Sequence, residues 1–180
     1  MKDRKTIVIF SENKPGVLQR MTAMFTRRRL NIESLTVSET EQEGISRFTV
    51  ALSCSADVAE KLVKQIRRIV EVADAYFRED QDLLFREIAF IRVQANSAAR
   101  REEIEEFARR YGASITYANH ESLVVEKTGD EEEINFLLEL FGPYGVTEFV
   151  RSGRIAVLRD NGDMDMNAFH AQRMLHAMYQ

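Results

Sequence analysis

Residues 12–37, ENKPGVLQRMTAMFTRRRLNIESLTV, decide the fold of this chain. Pro15 and Gly16 punctuate the end of an extended segment. From Gly16 to Arg28, the residues Val17, Leu18, Met21, Met24 and Phe25 fall at helical spacing and make one apolar face. Asn31–Glu39 then reads as a strand through Ile32, Leu35 and Val37. Upstream, Arg4–Ser11 carries Ile7, Val8, Ile9 and Phe10 in succession, a buried strand. The order is strand, glycine turn, amphipathic helix, strand.

Working outward, Gly44 closes a turn that joins Asn31–Glu39 to a partner strand over Ile45–Leu52. A second helix is expected over Ala56–Arg68, with Val58, Leu62, Gln65, Ile66 and Ile69 on its buried side, and a fourth strand over Val70–Phe77. After a polar linker, Arg78–Leu84, the pattern starts again. It runs through a strand (Arg86–Ala95), a helix (Ala98–Tyr111), a hairpin (Ser114–Asn119 with Ser122–Lys127) and a helix opened by Asp130 and stopped at Gly142-Pro143. A final strand or bent strand pair follows over Thr147–Leu158. Two βαββαβ units imply an α+β fold of two consecutive ferredoxin-like domains, residues 1–79 and 80–159, followed by a tail at 160–180. Met166–Met178 of that tail can be helical, though too short to stand alone. Strands that are apolar on both faces predict a homodimer.

The bulk numbers exclude several classes. The 180 residues carry a net charge of −4, so no global basic field attracts nucleic acid. The basic run Arg27-Arg28-Arg29 reads as a helix end, and no nucleic-acid partner is expected. The single cysteine, Cys54, forms no disulfide framework and suits a cytoplasmic protein. No apolar run approaches membrane-spanning length. Asp163-Met-Asp165-Met-Asn167 starts like a calcium loop but has Ala168 and Met174 where the loop needs Gly and Glu. His170 and His176 are off the spacing for one metal on one helix face, and no metal site or catalytic constellation emerges.

The chemistry concentrates at the opening turn. A helix N-terminus presents N–H donors and a partial positive charge to a carboxylate. Gly16 admits close approach to the backbone, and the Asn13 amide can accept from an ammonium or donate to a carboxylate. Asn31-Ile32, where the helix hands over to the next strand, is expected beside Asn13, one strand away, around one small polar spot. Each feature also has a plain reading: Asn-x-Pro-Gly is an ordinary helix start, and Asn31 an ordinary residue after a helix C-terminus.

The segments Glu12-Asn-x-Pro-Gly-Val-Leu-x-Arg20, Arg29-Leu-Asn-Ile-Glu-Ser-Leu-Thr-Val37 and Ser46-Arg-Phe-Thr-Val50 resemble the ACT-domain opening of acetolactate synthase (acetohydroxyacid synthase) small subunits. Arg86-Glu-Ile and Arg151-Ser-Gly-Arg-Ile-Ala156 extend the resemblance. It implies a chain with no catalytic residues and no cofactor of its own. Its partner would be a large catalytic subunit that uses thiamine diphosphate, Mg and FAD in branched-chain amino-acid biosynthesis. The small subunit would activate that enzyme and confer feedback inhibition by L-valine, or by leucine or isoleucine. The resemblance also implies effector binding at an ACT dimer interface by Asn13, Gly16, Val17, Leu18, Asn31 and Ile32, with the alternative open that one of the two asparagines comes from the partner chain. Two alternatives stay open: an ACT-type amino-acid sensor acting on another enzyme or a transcription regulator, and a small ferredoxin-like enzyme.

Overall fold

The computed structural model describes residues 3–160. The tail helix expected over Met166–Met178 and the failed calcium loop lie outside them. The described chain divides into two compact units. One holds the residues up to Leu84 together with the chain from Ala156 onward, and the other holds Phe85–Ile155.

The first unit runs β1 (Asp3–Glu12), α1 (Val17–Arg27), β2 (Ser34–Glu39), β3 (Ile45–Cys54), α2 (Ala56–Ile66) and β4 (Val72–Glu79). Its antiparallel sheet has the order β2-β3-β1-β4. The central strand β1 explains its unbroken apolar run. Ile7 and Ile9 face the helices in a core with Val17, Met21, Phe25, Leu62 and Ile66. Val8 and Phe10 point to the opposite face and cluster with Ile45. Both sets are buried, as in a strand covered on each side. Each such aliphatic side chain contributes about 1.5–3 kcal/mol.

Helix α2 buries Ala59, Leu62, Val63 and Ile66, whereas Gln65 is exposed. Ala59 leads to Ile66 at spacings of three and four through both Leu62 and Val63, and Gln65, although three residues from Leu62, falls outside that stripe. The expected linker is largely structured. β4 runs to Glu79, a single 3-10 turn covers Asp80–Asp82, and the buried Leu83 opens the next strand. The Arg159 N–H donates to the Asp82 carbonyl at 3.0 Å, and the Arg47 guanidinium donates to the Ala156 carbonyl, so the chain beyond 155 returns to the first unit.

The second unit repeats the order with β5 (Leu83–Gln94), α3 (Ala98–Arg110), β6 (Ser114–Ala118), β7 (Ser122–Gly129), α4 (Glu131–Phe141) and β8 (Val146–Arg151). A last strand, β9 (Ile155–Leu158), pairs with β5. Its main sheet order, β6-β7-β5-β8, matches the first, so both sheets are ferredoxin-like. The repeat extends to detail. The β1–β4 register slips between Phe10 and Ser11, and the β5–β8 register slips between Arg92 and Val93. Just beyond, Glu12 N–H donates to Glu71 and Asn13 N–H to Gly44, while Gln94 N–H donates to Gly145 and Ala95 N–H to Glu121. Asn13 and Ala95 therefore hold equivalent places.

Candidate functional site

The turn from β1 into α1 is held at its entrance and open at its exit. Glu12 N–H donates to the Glu71 carbonyl at 2.9 Å, and Asn13 N–H to the Gly44 carbonyl at 2.8 Å. The chain then reverses over Pro15 and enters α1 through Gly16, at φ 85° and ψ −12°. That left-handed conformation is what requires glycine, since a Cβ there would meet nothing within 4 Å. No side chain caps the helix. The first helical bond is Arg20 N–H to Gly16 carbonyl at 3.1 Å, and Val17 N–H reaches the Lys14 carbonyl only at 3.5 Å. Leu18 and Gln19 N–H have no acceptor among the described residues. The first turn contains no acidic residue to compete with an anion. The result is a small set of free donors at the positive end of a helix.

The sequence-predicted residues divide into two groups. Asn13, Gly16, Val17 and Leu18 sit together at this turn. Val17 is 1% exposed and belongs to the core, whereas Leu18 is 41% exposed and leaves it. Asn13 is exposed and its amide has no partner among the described residues. Asn31 and Ile32 lie at the other end of α1. There the helix closes with Arg29 N–H to Thr26 carbonyl at 2.9 Å and Leu30 N–H to Phe25 carbonyl at 3.1 Å. Arg29 adopts φ 54° at the position where glycine usually ends a helix. Ile32 packs against the core and Asn31 is exposed.

This corrects the expectation that Asn13 and Asn31 flank one spot within a chain. Asn13 bonds at Gly44, whereas Glu33, just past Asn31, bonds at Ala51. Gly44, just before β3, and Ala51 within it lie roughly 24 Å apart at strand spacing. The cause is the crossover itself: α1 carries the chain back along the full length of the sheet before β2 begins.

Two residues with a bearing on the turn are absent from the sequence-based set. The Arg20 guanidinium meets the Glu71 carboxylate at 2.7 Å, and that contact holds the Glu71 carboxyl below its usual range. Arg20 stands at helical spacing from Gly16, which is a usable signal. Glu71, 51 positions later, offers none.

The equivalent end of the second unit is built differently. Ser97 caps α3 by accepting from Arg100 N–H at 3.3 Å. The Arg101 guanidinium reaches across the opening to the Ala95 and Asn119 carbonyls, at 3.3 and 2.5 Å. An alanine stands where the first unit has Asn13. Here the Arg100 N–H is taken by the cap, and a guanidinium spans the opening. The outer face of this unit's sheet exposes Phe90, Tyr117 and Val150 around an Arg92–Glu148 ion pair of 3.0 Å, lining a shallow concavity of about 430 Å³. Among the described residues no helix is long and apolar enough to cross a membrane, and no cluster of His, Cys, Asp and Glu could hold a metal.

Comparison with known proteins places both units in one family. Residues 7–74 match the model of the AHAS small subunit-like ACT domain, and residues 86–160 match the model of the small subunit of acetolactate synthase. The chain is 36% identical to the probable acetolactate synthase small subunit of Archaeoglobus fulgidus, over 88% of this chain and 98% of that one. It is 35% identical to the acetolactate synthase small subunit of Bacillus subtilis, over 87% and 91% of the two chains. A crystal structure of the Thermotoga maritima small subunit superposes with a TM-score of 0.80 at 27% identity, over 88% and 99% of the two chains. The chain belongs to the family of acetolactate synthase small subunits.

Proposed function

We propose that this chain is the regulatory subunit of an acetolactate synthase. It binds the large catalytic subunit, which carries the thiamine diphosphate, Mg and FAD, raises its activity, and makes it sensitive to L-valine or a related branched-chain amino acid. The observation that carries the effector site is the uncapped first turn of α1 at Gly16. The N–H groups of Gly16–Leu18 receive the effector carboxylate, Asn13 and Asn31 take its polar ends, and Leu18 and Ile32 border its side chain.

Because Asn13 and Asn31 lie at opposite ends of α1, the site needs two copies. A homodimer supplies both ends. β2 is an edge strand, and its only neighbour among the described residues is β3. Helix α2 packs over β4 and β1, leaving α1 on the side toward β2. Pairing two β2 edges about a two-fold axis runs the two α1 helices antiparallel, so the Gly16 end of one copy meets the Asn31 end of the other.

A site of this kind rejects analogues lacking the amine, because its buried polar groups would be left unpaired. The test is acetolactate formation by the catalytic subunit, with and without this chain, across an L-valine titration. Stimulation by the chain that valine reverses is the expected result. An unchanged rate with folded chain present overturns the proposal and favours a sensor for another enzyme.

A further inference from the structure

We propose that Arg20 and Glu71 are a positioning pair that sets the aim of the N–H donors at Gly16–Leu18, an inference that rests on the effector site proposed above. Each residue is tied twice to the turn. Arg20 donates its backbone N–H to the Gly16 carbonyl at 3.1 Å and its guanidinium to the Glu71 carboxylate at 2.7 Å. Glu71 accepts that guanidinium and, through its backbone carbonyl at 2.9 Å, the N–H of Glu12. The chain from Glu12 to Arg20 is thus a loop whose two ends are clamped to one residue just before β4.

Beyond these clamps, the Asn13 N–H bond to the Gly44 carbonyl and the buried Val17 hold the loop. Its glycine cap makes no side-chain bond, and the Val17–Lys14 bond is long. Lys14 pairs at 2.5 Å with Glu12, the last residue of β1. The Glu71 side chain is 17% exposed and that of Arg20 50%, so one partner is largely withdrawn from water and the other reaches in to it. A bidentate-capable guanidinium gives direction as well as attraction. The second unit marks the contrast. There Ser97 caps the helix by accepting from Arg100 N–H, and the Arg101 guanidinium spans the opening. In the first unit no side chain caps the helix, and the restraint sits at a distance, at Glu71. Preorganised donors bind an anion more tightly than mobile ones, because less ordering is required on binding.

The test is L-valine affinity by calorimetry on the full chain, with thermal stability measured beside it. Glu71→Gln keeps the shape and removes the charge, and a rise in Kd of about five- to tenfold is expected. Arg20→Lys should raise Kd too, since an ammonium lacks the planar fork, and the exchanged pair Arg20→Glu with Glu71→Arg should recover most of the affinity. Asp130→Ala, in the second unit, supplies a destabilised control whose Kd stays at the wild-type value. Wild-type binding with unchanged Kd in both Glu71→Gln and Arg20→Lys overturns the positioning role. Absence of binding of L-valine, L-leucine and L-isoleucine by the wild-type chain overturns the effector site itself, and with it this inference. If Glu71→Gln fails to fold, Arg20→Lys and the exchanged pair decide the matter alone.

Discussion

Replacing Gly16 by alanine isolates one backbone dihedral. At φ 85° an L-residue carries a left-handed penalty, and nothing within 4 Å meets the new Cβ, so no steric term is added. The penalty is about 1–2 kcal/mol. Alanine returns about 0.4–1 kcal/mol by restricting the unfolded chain. The net loss is about 1 kcal/mol, or roughly 2–4 °C in Tm for a chain of this size. If the turn relieves that strain by moving, binding must restore it, and L-valine Kd rises by up to about fivefold. Gly112→Ala is the matched control. Its φ is 63°, and its Cβ would sit 3.8 Å from the Lys127 Nζ, an ordinary contact in the other unit. It should lose comparable stability with no change in Kd. Urea denaturation and calorimetry on both variants check this. Equal Kd for Gly16→Ala and wild type, with the stability loss present, refutes the role assigned to the turn. Full stability in Gly16→Ala refutes the backbone geometry.

Other substitutions probe separate elements. Arg29→Gly relieves a left-handed residue at the end of α1 and should stabilise the first unit by about 0.5–1 kcal/mol, read as a higher urea midpoint. Asp130→Ala removes a capping box whose two bonds are each 2.9 Å, and should cost about 1 kcal/mol by the same measurement. Burial pushes the Cys54 thiol up, with the Lys5 ammonium pulling the other way, so iodoacetamide should label it far more slowly in folded chain than in urea at pH 8. Because its folded value lies above the unfolded one, the stability linked to this thiol is complete below the ordinary value of 9.0 and is lost as pH rises through the folded value.

The sequence made the two βαββαβ units readable because each helix shows a clear stripe and each strand a short apolar run. Gln65 misled because it stands three residues from Leu62, and only the burial of Ala59, Val63 and Ile66 turns the stripe away from it. The linker misled because Asp80, Gln81 and Asp82 look like a solvated connection, while the burial of Leu83 is a property of the folded sheet. The turn at Asn13–Leu18 was legible from Pro15, Gly16 and the helix that follows. The separation of Asn31 from Asn13 was not, because proximity around a crossover depends on which end of a helix a residue occupies. Glu71 stayed hidden for the same reason: the sheet brings it to Arg20, and sequence distance conceals it.

The central claim is an effector site shared between two copies, and mixed dimers test it most directly. Asn13→Ala and Asn31→Ala chains, each alone, should lose high-affinity L-valine binding. Mixed, unfolded together and refolded, they should regain it, because each mixed dimer rebuilds one site from the intact Asn13 of one copy and the intact Asn31 of the other. Recovery in the mixture and silence in each pure variant is the predicted result. No recovery in mixed dimers, with both variants folded and dimeric, would contradict the account.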